Sequence, residues 1–488
     1  MTTTTALPAI IRCFVLLLID EVPLPDLLFC SICFHCSTLQ HSRKTRQCIT
    51  KAVQKRKLLY NVLMLQQQRS MLFLGDIICL ALGFVAMTLI RFNIHTEHMV
   101  VVHQAILFVW LFALWLIVFF IFDLYNLRRI NPNPLNIGLL IASMLVNVLL
   151  GITFFYFFSG TGIAPKTNLL LVAVFCLALL IVWRRLFYHL FTVRFTRFVA
   201  TIGISPLIAE LQAELQQHPQ FGELAMHWNT IADATFDNKV NILIAEHTDP
   251  QQLLALSKSL SAETLTLFES YETFFGKIPV SLVTDEKAIT IMTARENKAL
   301  YFFYRILEIL FASIVLIVTS PFLLIAIIAR LIEDGTPVFY SQKRVGKNGK
   351  LFSVYKLRSM TKNAEQSGAV WADHKDSRIT KLGHILRLTH IDEVPQMINI
   401  IKGDIALVGP RPERPEFVSQ LEQDIPYYFL RHTIRPGFTG WAQIKYRYAR
   451  TVDDAKEKFE YDLYYLKNKS PLLDVGIVLK TLQIIFTH

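Results

Sequence analysis

The sequence predicts a membrane protein with four transmembrane helices, a following α/β domain, a fifth apolar segment and a basic C-terminal domain. Three observations carry that prediction. The 488 residues are 53% hydrophobic, with a mean hydropathy of +0.41, which is too apolar for a wholly soluble chain of this length. Four apolar stretches, 71–91, 99–122, 135–158 and 168–183, are each near the length a helix needs to cross hydrocarbon. The net charge is +11 and collects in the loops and in the last third of the chain. A basic balance suits nucleic acid, anionic lipid or phosphorylated substrates, and the apolar runs select lipid and phosphate over nucleic acid.

Residues 1–63 read as an N-terminal extension. Its apolar run Ala9–Ile19 contains Arg12 and is cut off by Asp20-Glu21, with no small-residue cleavage site. A start at Met64 or Met71 would leave a more ordinary membrane protein. Five of the seven cysteines lie here: Cys13, Cys30, Cys33, Cys36 and Cys48. Cys30, Cys33 and Cys36 stand near His35 and His41, but no second pair follows, so no zinc site is expected. Cys79 and Cys176 fall inside apolar runs and read as packed thiols.

Residues 64–197 form the four-helix membrane region. Lys51, Lys55, Arg56, Lys57 and Arg69 precede the first span, Arg128 and Arg129 separate the second from the third, and Arg184, Arg185, Arg194 and Arg197 follow the fourth. The other two loops carry only Arg91 and Lys166. The basic loops lie inside, so the chain leaves the fourth span in the cytoplasm.

Residues 198–295 read as a degenerate Rossmann-like α/β domain. Strands are expected at Phe198–Gly203, Val240–Ala245 and Leu265–Phe268, with a helix over Leu207–Gln217. The first turn, Gly203-Ile204-Ser205-Pro206, has one glycine where a dinucleotide site wants three, so a structural or regulatory role is expected over cofactor binding.

Residues 296–334 hold the fifth apolar segment, Ile309–Ile328. By length it spans. A fifth crossing would carry the basic C-terminal region outside the cell. Ser320-Pro321 stands at its middle, where proline removes a donor and crowds the preceding turn. Arg305 and Glu308 at one end, and Arg330, Glu333 and Asp334 at the other, also fit a segment that enters and returns. Ser320 can bond the carbonyls that such a break frees. The residues alone leave spanning and re-entrant readings open.

Residues 335–488 carry the chemistry. Ile391, Val394, Met397, Ile398 and Ile401 recur at helical spacing. Pro395 is tolerated only near a helix start and Gly403 is a natural stop. A short helix is therefore expected from near Asp392 to near Lys402, with Asp392 and Glu393 at its positive end. Adjacent helical residues differ by about 100° in direction, so the two carboxylates can serve different tasks. An isolated Asp-Glu at a helix start is ordinarily a cap. Here Arg387, His384 and His390 stand just upstream. Two rigid basic loops follow: Gly409-Pro410-Arg411-Pro412-Glu413-Arg414-Pro415 and Arg435-Pro436-Gly437-Phe438-Thr439-Gly440-Trp441. Lys343-Arg344-Val345-Gly346 and Lys356-Leu357-Arg358 add further cations suited to phosphate. There is no Gly-x-x-x-x-Gly-Lys-Ser/Thr loop and no Asp-x-Asp. Leu472–Phe486 is an amphipathic run suited to a membrane surface.

In Lys343–Gly346, Tyr355–Met360, Asp376–Arg387, Ile391–Gly409, Pro410–Pro412 and Arg435–Ile444, the chain resembles the bacterial sugar transferase family, the monotopic polyprenyl-phosphate phosphoglycosyl transferases. The likeness covers 335–488. The four spans and α/β domain resemble the long members, such as undecaprenyl-phosphate glucose or galactose phosphotransferases, and residues 1–63 lie outside it. The resemblance implies a mainly α catalytic domain with a re-entrant membrane helix broken at Ser320 and Pro321. It implies a sugar-1-phosphate transferase that moves the phosphosugar from a UDP-sugar to undecaprenyl phosphate and releases UMP. Asp392 would be the nucleophile and Glu393, with Asp392, would hold Mg²⁺. Arg387 matches the family's phosphate-binding arginine, and Pro410-Arg411-Pro412 a motif near the nucleotide. Lys343, Arg344, Lys356, Arg358 and Arg435 are the other expected phosphate or nucleotide contacts. The expected setting is the bacterial inner membrane, with the catalytic domain on the cytoplasmic face, in a homodimer, at the first membrane step of exopolysaccharide, capsule, O-antigen or glycoconjugate synthesis. Two other readings compete with it. A catalytically inactive membrane scaffold or regulator of polysaccharide export would be favoured by loss of Asp392, Glu393 or Arg387, and all three are present. A transporter would need ionisable residues in the spans, and Asp76 is the main one.

Overall fold

The computed structural model describes residues 68–486, apart from 92–97, 159–164, 192–196, 234–239, 247–249, 261, 294–297, 363, 365–377 and 447–450. The extension 1–63 with its five cysteines, the cations Lys51, Lys55, Arg56 and Lys57, and Asp376 lie outside the described residues.

Four long apolar helices come first: α1 Gln68–Arg91, α2 His98–Ile121, α3 Pro134–Phe158 and α4 Pro165–His189. Their inward faces form one core around Leu80, Phe108, Trp115, Phe119, Cys176 and Leu180. Leu89, Trp110, Leu145 and Val174 point outward and are exposed, as lipid-facing residues would be. Small residues let the helices close up: a Cβ at Gly83 would lie 2.4 Å from Cys176 Sγ. Asp76 is fully buried and paired with Arg184 at 2.6 Å, and Arg184 also donates to the Leu124 carbonyl at 2.5 Å. The ionisable residue in the spans is thus an interhelical tie.

The next unit is a parallel sheet. Strands β1 Phe198–Ile202, β2 Glu223–Trp228, β3 Ile242–Ala245 and β4 Glu263–Thr266 are ordered β2-β1-β3-β4. Helices α5 Pro206–Gln217, α6 Pro250–Leu260 and α7 Leu267–Phe274 flank it. The fourth strand ends two residues earlier than the sequence suggests, because Thr266 caps α7 in a reciprocal box with Glu269. At the first turn, Glu246 accepts from the Ser205 N–H at 3.2 Å, and a Cβ on Gly203 (φ 132°) would lie 2.6 Å from that carboxylate. A carboxylate therefore already stands at the mouth of α5, where a cofactor phosphate would have to enter.

Helix α8 Asp285–Met292 leads into α9, a single helix over Lys298–Asp334. The expected bend at Ser320-Pro321 falls inside this one helix. Helical structure continues through Pro321, which costs only the donor to the Ile317 carbonyl. Ser320 Oγ donates to that same carbonyl at 2.7 Å, and Thr319 Oγ1 to Val315 O at 2.6 Å. The hydroxyl supplies what the proline removes, so the helix need not end there. One stripe of α9 packs on the C-terminal domain along its whole length. Arg305 donates to the Ile401 carbonyl, Ala312 packs with Met397 and Ile400, Ala326 with Leu357 and Leu386, and Arg330 donates to the Met360 carbonyl. The opposite face, including Ile317, Val318 and Ile325, is exposed. With α9, five helices among the described residues are long and apolar enough to cross a bilayer.

The C-terminal domain opens with a hairpin that sequence periodicity did not reveal, β5 Phe339–Val345 against β6 Leu351–Leu357. Helix α10 Lys381–Leu388 follows, then a 3₁₀ turn at Ile391–Glu393, α11 Gln396–Lys402 and β7 Ala406–Val408. Helix α12 Pro415–Asp424, a 3₁₀ turn at Tyr428–His432 and β8 Gly437–Thr439 come next. Helices α13 Trp441–Lys445, α14 Val452–Asn468 and α15 Pro471–Phe486 complete the chain. Ile477 of α15 is buried with Val408 and Tyr465, while Leu472 is exposed. The amphipathic run thus covers its own domain with one face.

Candidate active site

The acidic pair sits before its helix rather than on it. His390, in the left-handed conformation (φ 56°), turns the chain out of α10 and into the 3₁₀ turn that carries Asp392 and Glu393. Pro395 then caps α11, and Gly403 (φ 89°) stops it. The expected helix start near Asp392 is corrected to Gln396: a proline at 395 has no N–H to donate back, and the acidic residues take up a tighter turn instead. Asn399 fixes α11 against the hairpin. Its amide donates to Ser353 O at 2.8 Å and Asp404 Oδ2 at 3.0 Å, and its oxygen accepts from Tyr355 N at 3.1 Å.

The two carboxylates face different surroundings. Glu393 Oε1 takes Lys356 Nζ at 2.6 Å and an Arg411 guanidinium nitrogen at 3.6 Å. Burial alone would raise its pKa, but Lys356 and Arg411 outweigh that and hold it well below the ordinary carboxylate range. Asp392 is 6% exposed and makes no ion pair or hydrogen bond among the described residues. Burial first, and the neighbouring Glu393 charge second, push it up to about 6, against Lys356, Arg387 and His390. One acid is clamped and ionised. The other is buried and unpartnered, and its carboxyl is pushed toward neutral pH.

Lys356 comes from β6 and Arg411 from the loop after β7, so the hairpin and that loop meet over the acidic turn. The two basic loops of the sequence are interlocked. Ala406 pairs with Gly437 and Val408 with Thr439 in a parallel ladder. Gly409 N donates to Thr439 O at 2.9 Å, and Gly437 N to Pro410 O at 2.8 Å. Arg387 lies on α10 with Nε donating to Ser359 Oγ at 2.9 Å. That helix is seated closely, since a Cβ on Gly383 would lie 1.9 Å from Ser359 O.

The remaining expected contacts lie elsewhere. Lys343 is exposed on β5. Arg344 is spent on the hairpin and loop, donating to Pro412 O at 3.1 Å and Gln342 Oε1 at 2.6 Å. Arg358 is turned to the end of α9, where it meets Asp334 Oδ2 at 3.1 Å and Gly335 O at 2.9 Å. Arg435 holds Glu308 of α9 at 3.0 Å. Sequence reasoning missed Arg431. It is buried, pairs with Asp462 at 3.0 Å, donates to Tyr428 Oη, and holds the Arg411 carbonyl at 3.0 Å. The available signal was Asp462, an acid on the buried stripe Ala455, Phe459, Leu466 of α14.

The Lys356 contact makes a specific prediction. Lys356→Met should lower kcat/KM about 100-fold, as removal of a cation from a developing-charge site does. It should also raise the pH at which Asp392 ionises, because the Lys356 charge holds that carboxyl down, read as an upward shift of the acidic limb of the rate profile. An unchanged limb would show that Lys356 does not act on the charge of the acidic pair.

A buried acid beside a clamped one lies under interlocked cationic loops, on a turn whose Ile391 packs against the long apolar helix α9, the arrangement of a membrane-associated protein with a site suited to phosphate. Comparison with known proteins agrees. Residues 299–488 match the family model described as bacterial sugar transferase. The chain is 41% identical over 216 residues to the UDP-N-acetylgalactosamine-undecaprenyl-phosphate N-acetylgalactosaminephosphotransferase of Aeromonas hydrophila, covering 44% of this chain and 50% of that one. It is 46% identical over 127 residues to a putative undecaprenyl-phosphate N-acetylgalactosaminyl 1-phosphate transferase of Bacillus subtilis (26% and 71%). It is 37% identical over 176 residues to the UDP-glucose:undecaprenyl-phosphate glucose-1-phosphate transferase of Escherichia coli (36% and 38%). The chain belongs to the bacterial sugar transferase family. It spans about half the length of the Aeromonas relative it matches.

Proposed function

We propose that this protein transfers a sugar-1-phosphate from a UDP-sugar to undecaprenyl phosphate, with Asp392 as the nucleophile. The observation that carries the reading is the contrast within the acidic pair: Asp392 buried and unpartnered, Glu393 clamped by Lys356 and Arg411. In the first step an Asp392 oxygen attacks the phosphorus that bears the sugar. The bond to the UMP oxygen breaks, UMP leaves with the electron pair, and an acyl phosphate remains on Asp392. In the second step an oxygen of undecaprenyl phosphate attacks the same phosphorus. The bond to Asp392 breaks and the carboxylate is restored, leaving a diphosphate-linked sugar. Arg387 and Arg411 bind the substrate phosphates.

Mg²⁺ fits this donor set. Among the described residues no three His, Cys, Asp or Glu gather into a cage. Mg²⁺ needs no such cage, since it binds through one or two carboxylates together with waters and substrate phosphates. Glu393, with Asp392, would hold it, and it would neutralise charge on the diphosphate.

The membrane placement follows from the acceptor, whose phosphate rides on a lipid. The contacts of α9 support a helix whose two ends stay on one face. Charged residues at 305 and 308 and at 330 and 334 touch the same domain. An upright crossing would separate those ends by about 30 Å of hydrocarbon. We place that face in the cytoplasm of the bacterial inner membrane, where nucleotide sugars are made, and read the parallel-sheet unit as a Rossmann-like domain without a cofactor.

UMP release from a panel of UDP-sugars, with and without undecaprenyl phosphate, tests the function. Release with none of them would refute it. The pH dependence is fixed in sign. Asp392 must be ionised to attack, and it titrates at about 6. The rate should therefore fall about tenfold per pH unit below that point and level off above it.

A further inference from the structure

Five cations and two carboxylates meet at the seam between the helix bundle and the C-terminal domain. Asp123, just past the end of α2, takes Lys480 at 2.9 Å and Arg129 at 3.7 Å. Arg128 pairs with Glu214 at 2.8 Å and donates to the Phe274 carbonyl at 2.9 Å. Trp441 grips the same turn, its indole N–H donating to Gly276 O at 2.7 Å. Lys445 Nζ lies 4.6 Å from the Trp441 ring centre, and Trp441 stacks on Tyr464. Arg69 joins from the first turn of α1, close enough to act electrostatically on Lys445.

Asp123 and Glu214 are used by Lys480, Arg129 and Arg128. Lys445 and Arg69 are exposed and have no hydrogen bond or ion pair among the described residues. Two cations are thus left over beside three others, which repels unless an anion enters.

The place decides what the anion is. The start of α1 and the end of α2 lie at one end of the bundle, and α15 docks there, with Gly476 beside the Phe120 ring. That is the depth of lipid headgroups, where stacked Trp and Tyr over basic side chains are at home. We propose that this seam binds the phosphate of a membrane lipid, held by Lys445 and Arg69 beside the Trp441 ring.

The phosphate can belong to a bulk anionic phospholipid or to a polyprenyl phosphate, and one experiment separates them. The full chain is placed in nanodiscs of phosphatidylcholine alone, with phosphatidylglycerol added, or with undecaprenyl phosphate added. The rate at which an amine-reactive reagent labels Lys445 is read by peptide mass spectrometry, with exposed Lys347 as the internal reference. We expect Lys445 labelling to slow several-fold relative to Lys347 in at least one anionic disc. Slowing by phosphatidylglycerol assigns the site to bulk lipid, and slowing by undecaprenyl phosphate alone assigns it to the acceptor. In Arg69→Gln the protection should shrink. Equal labelling in all three discs, or undiminished protection in Arg69→Gln, overturns the proposal. Neither readout depends on turnover, so failure here leaves the catalytic reading untouched.

Discussion

Asp392→Asn is expected to abolish turnover while making the folded protein more stable. Loss of a nucleophile that forms a covalent bond costs several orders of magnitude in rate, on the order of 10⁴ or more. The stability change has the opposite sign. The Asp392 carboxyl titrates at about 6 in the folded chain against 3.8 for an unperturbed aspartate. Between those values the folded state holds a proton that the unfolded chain has released, so folding weakens as pH rises through the window. Above about 6 the full cost of the buried charge is present, about 2 kcal/mol after allowing for coupling to Glu393. Asparagine removes that charge at similar volume. Thermal unfolding at pH 7.5 should show a higher midpoint for the variant, and at pH 4 the two proteins should converge. A variant that is both inactive and less stable would mean that Asp392 serves the fold.

Gly437→Ala is expected to be severely damaging for so small a change. A Cβ there would lie 2.0 Å from Gly409 N and 2.4 Å from Thr439 O. Both are backbone atoms of the β7–β8 pairing and cannot swing aside as a side-chain end can. Overpacking of this kind costs about 1–3 kcal/mol, and more where backbone must move. The β7–β8 pairing also sets the Gly409-Pro410-Arg411 turn, so Arg411 would lose its place over Glu393. Thermal unfolding and UMP release should therefore fall together. Full activity in Gly437→Ala would show that the interlock does not position Arg411.

The sequence made the chemistry legible where it is local. Four apolar stretches, an acidic pair, and loops stiffened by proline and glycine are all short-range signals, and each has its counterpart in the structure. What escaped is long-range. Nothing near Lys356 says that it reaches Glu393, because the hairpin that carries it there pairs Phe339 with Leu357 through tertiary packing. Arg358, two residues further on, lies past the end of β6 and goes to Asp334 instead. Strand alternation no longer applies there. Charge alone grouped Lys356 and Arg358, and the backbone separates them. The Ser320-Pro321 pair, by contrast, was legible locally: the serine hydroxyl bonds the Ile317 carbonyl that the proline leaves without a donor.

The central claim is that Asp392 carries the phosphosugar between the two substrates. The most direct measurement is intact-protein mass spectrometry of the purified chain mixed with a UDP-sugar it uses, without undecaprenyl phosphate. We predict a mass gain of one phosphosugar, mapped to the peptide bearing Asp392, with one equivalent of UMP released, and discharge of the adduct when undecaprenyl phosphate is added. No adduct, with UMP appearing only once the lipid acceptor is present, would mean that the acceptor attacks the nucleotide sugar directly and would contradict the account.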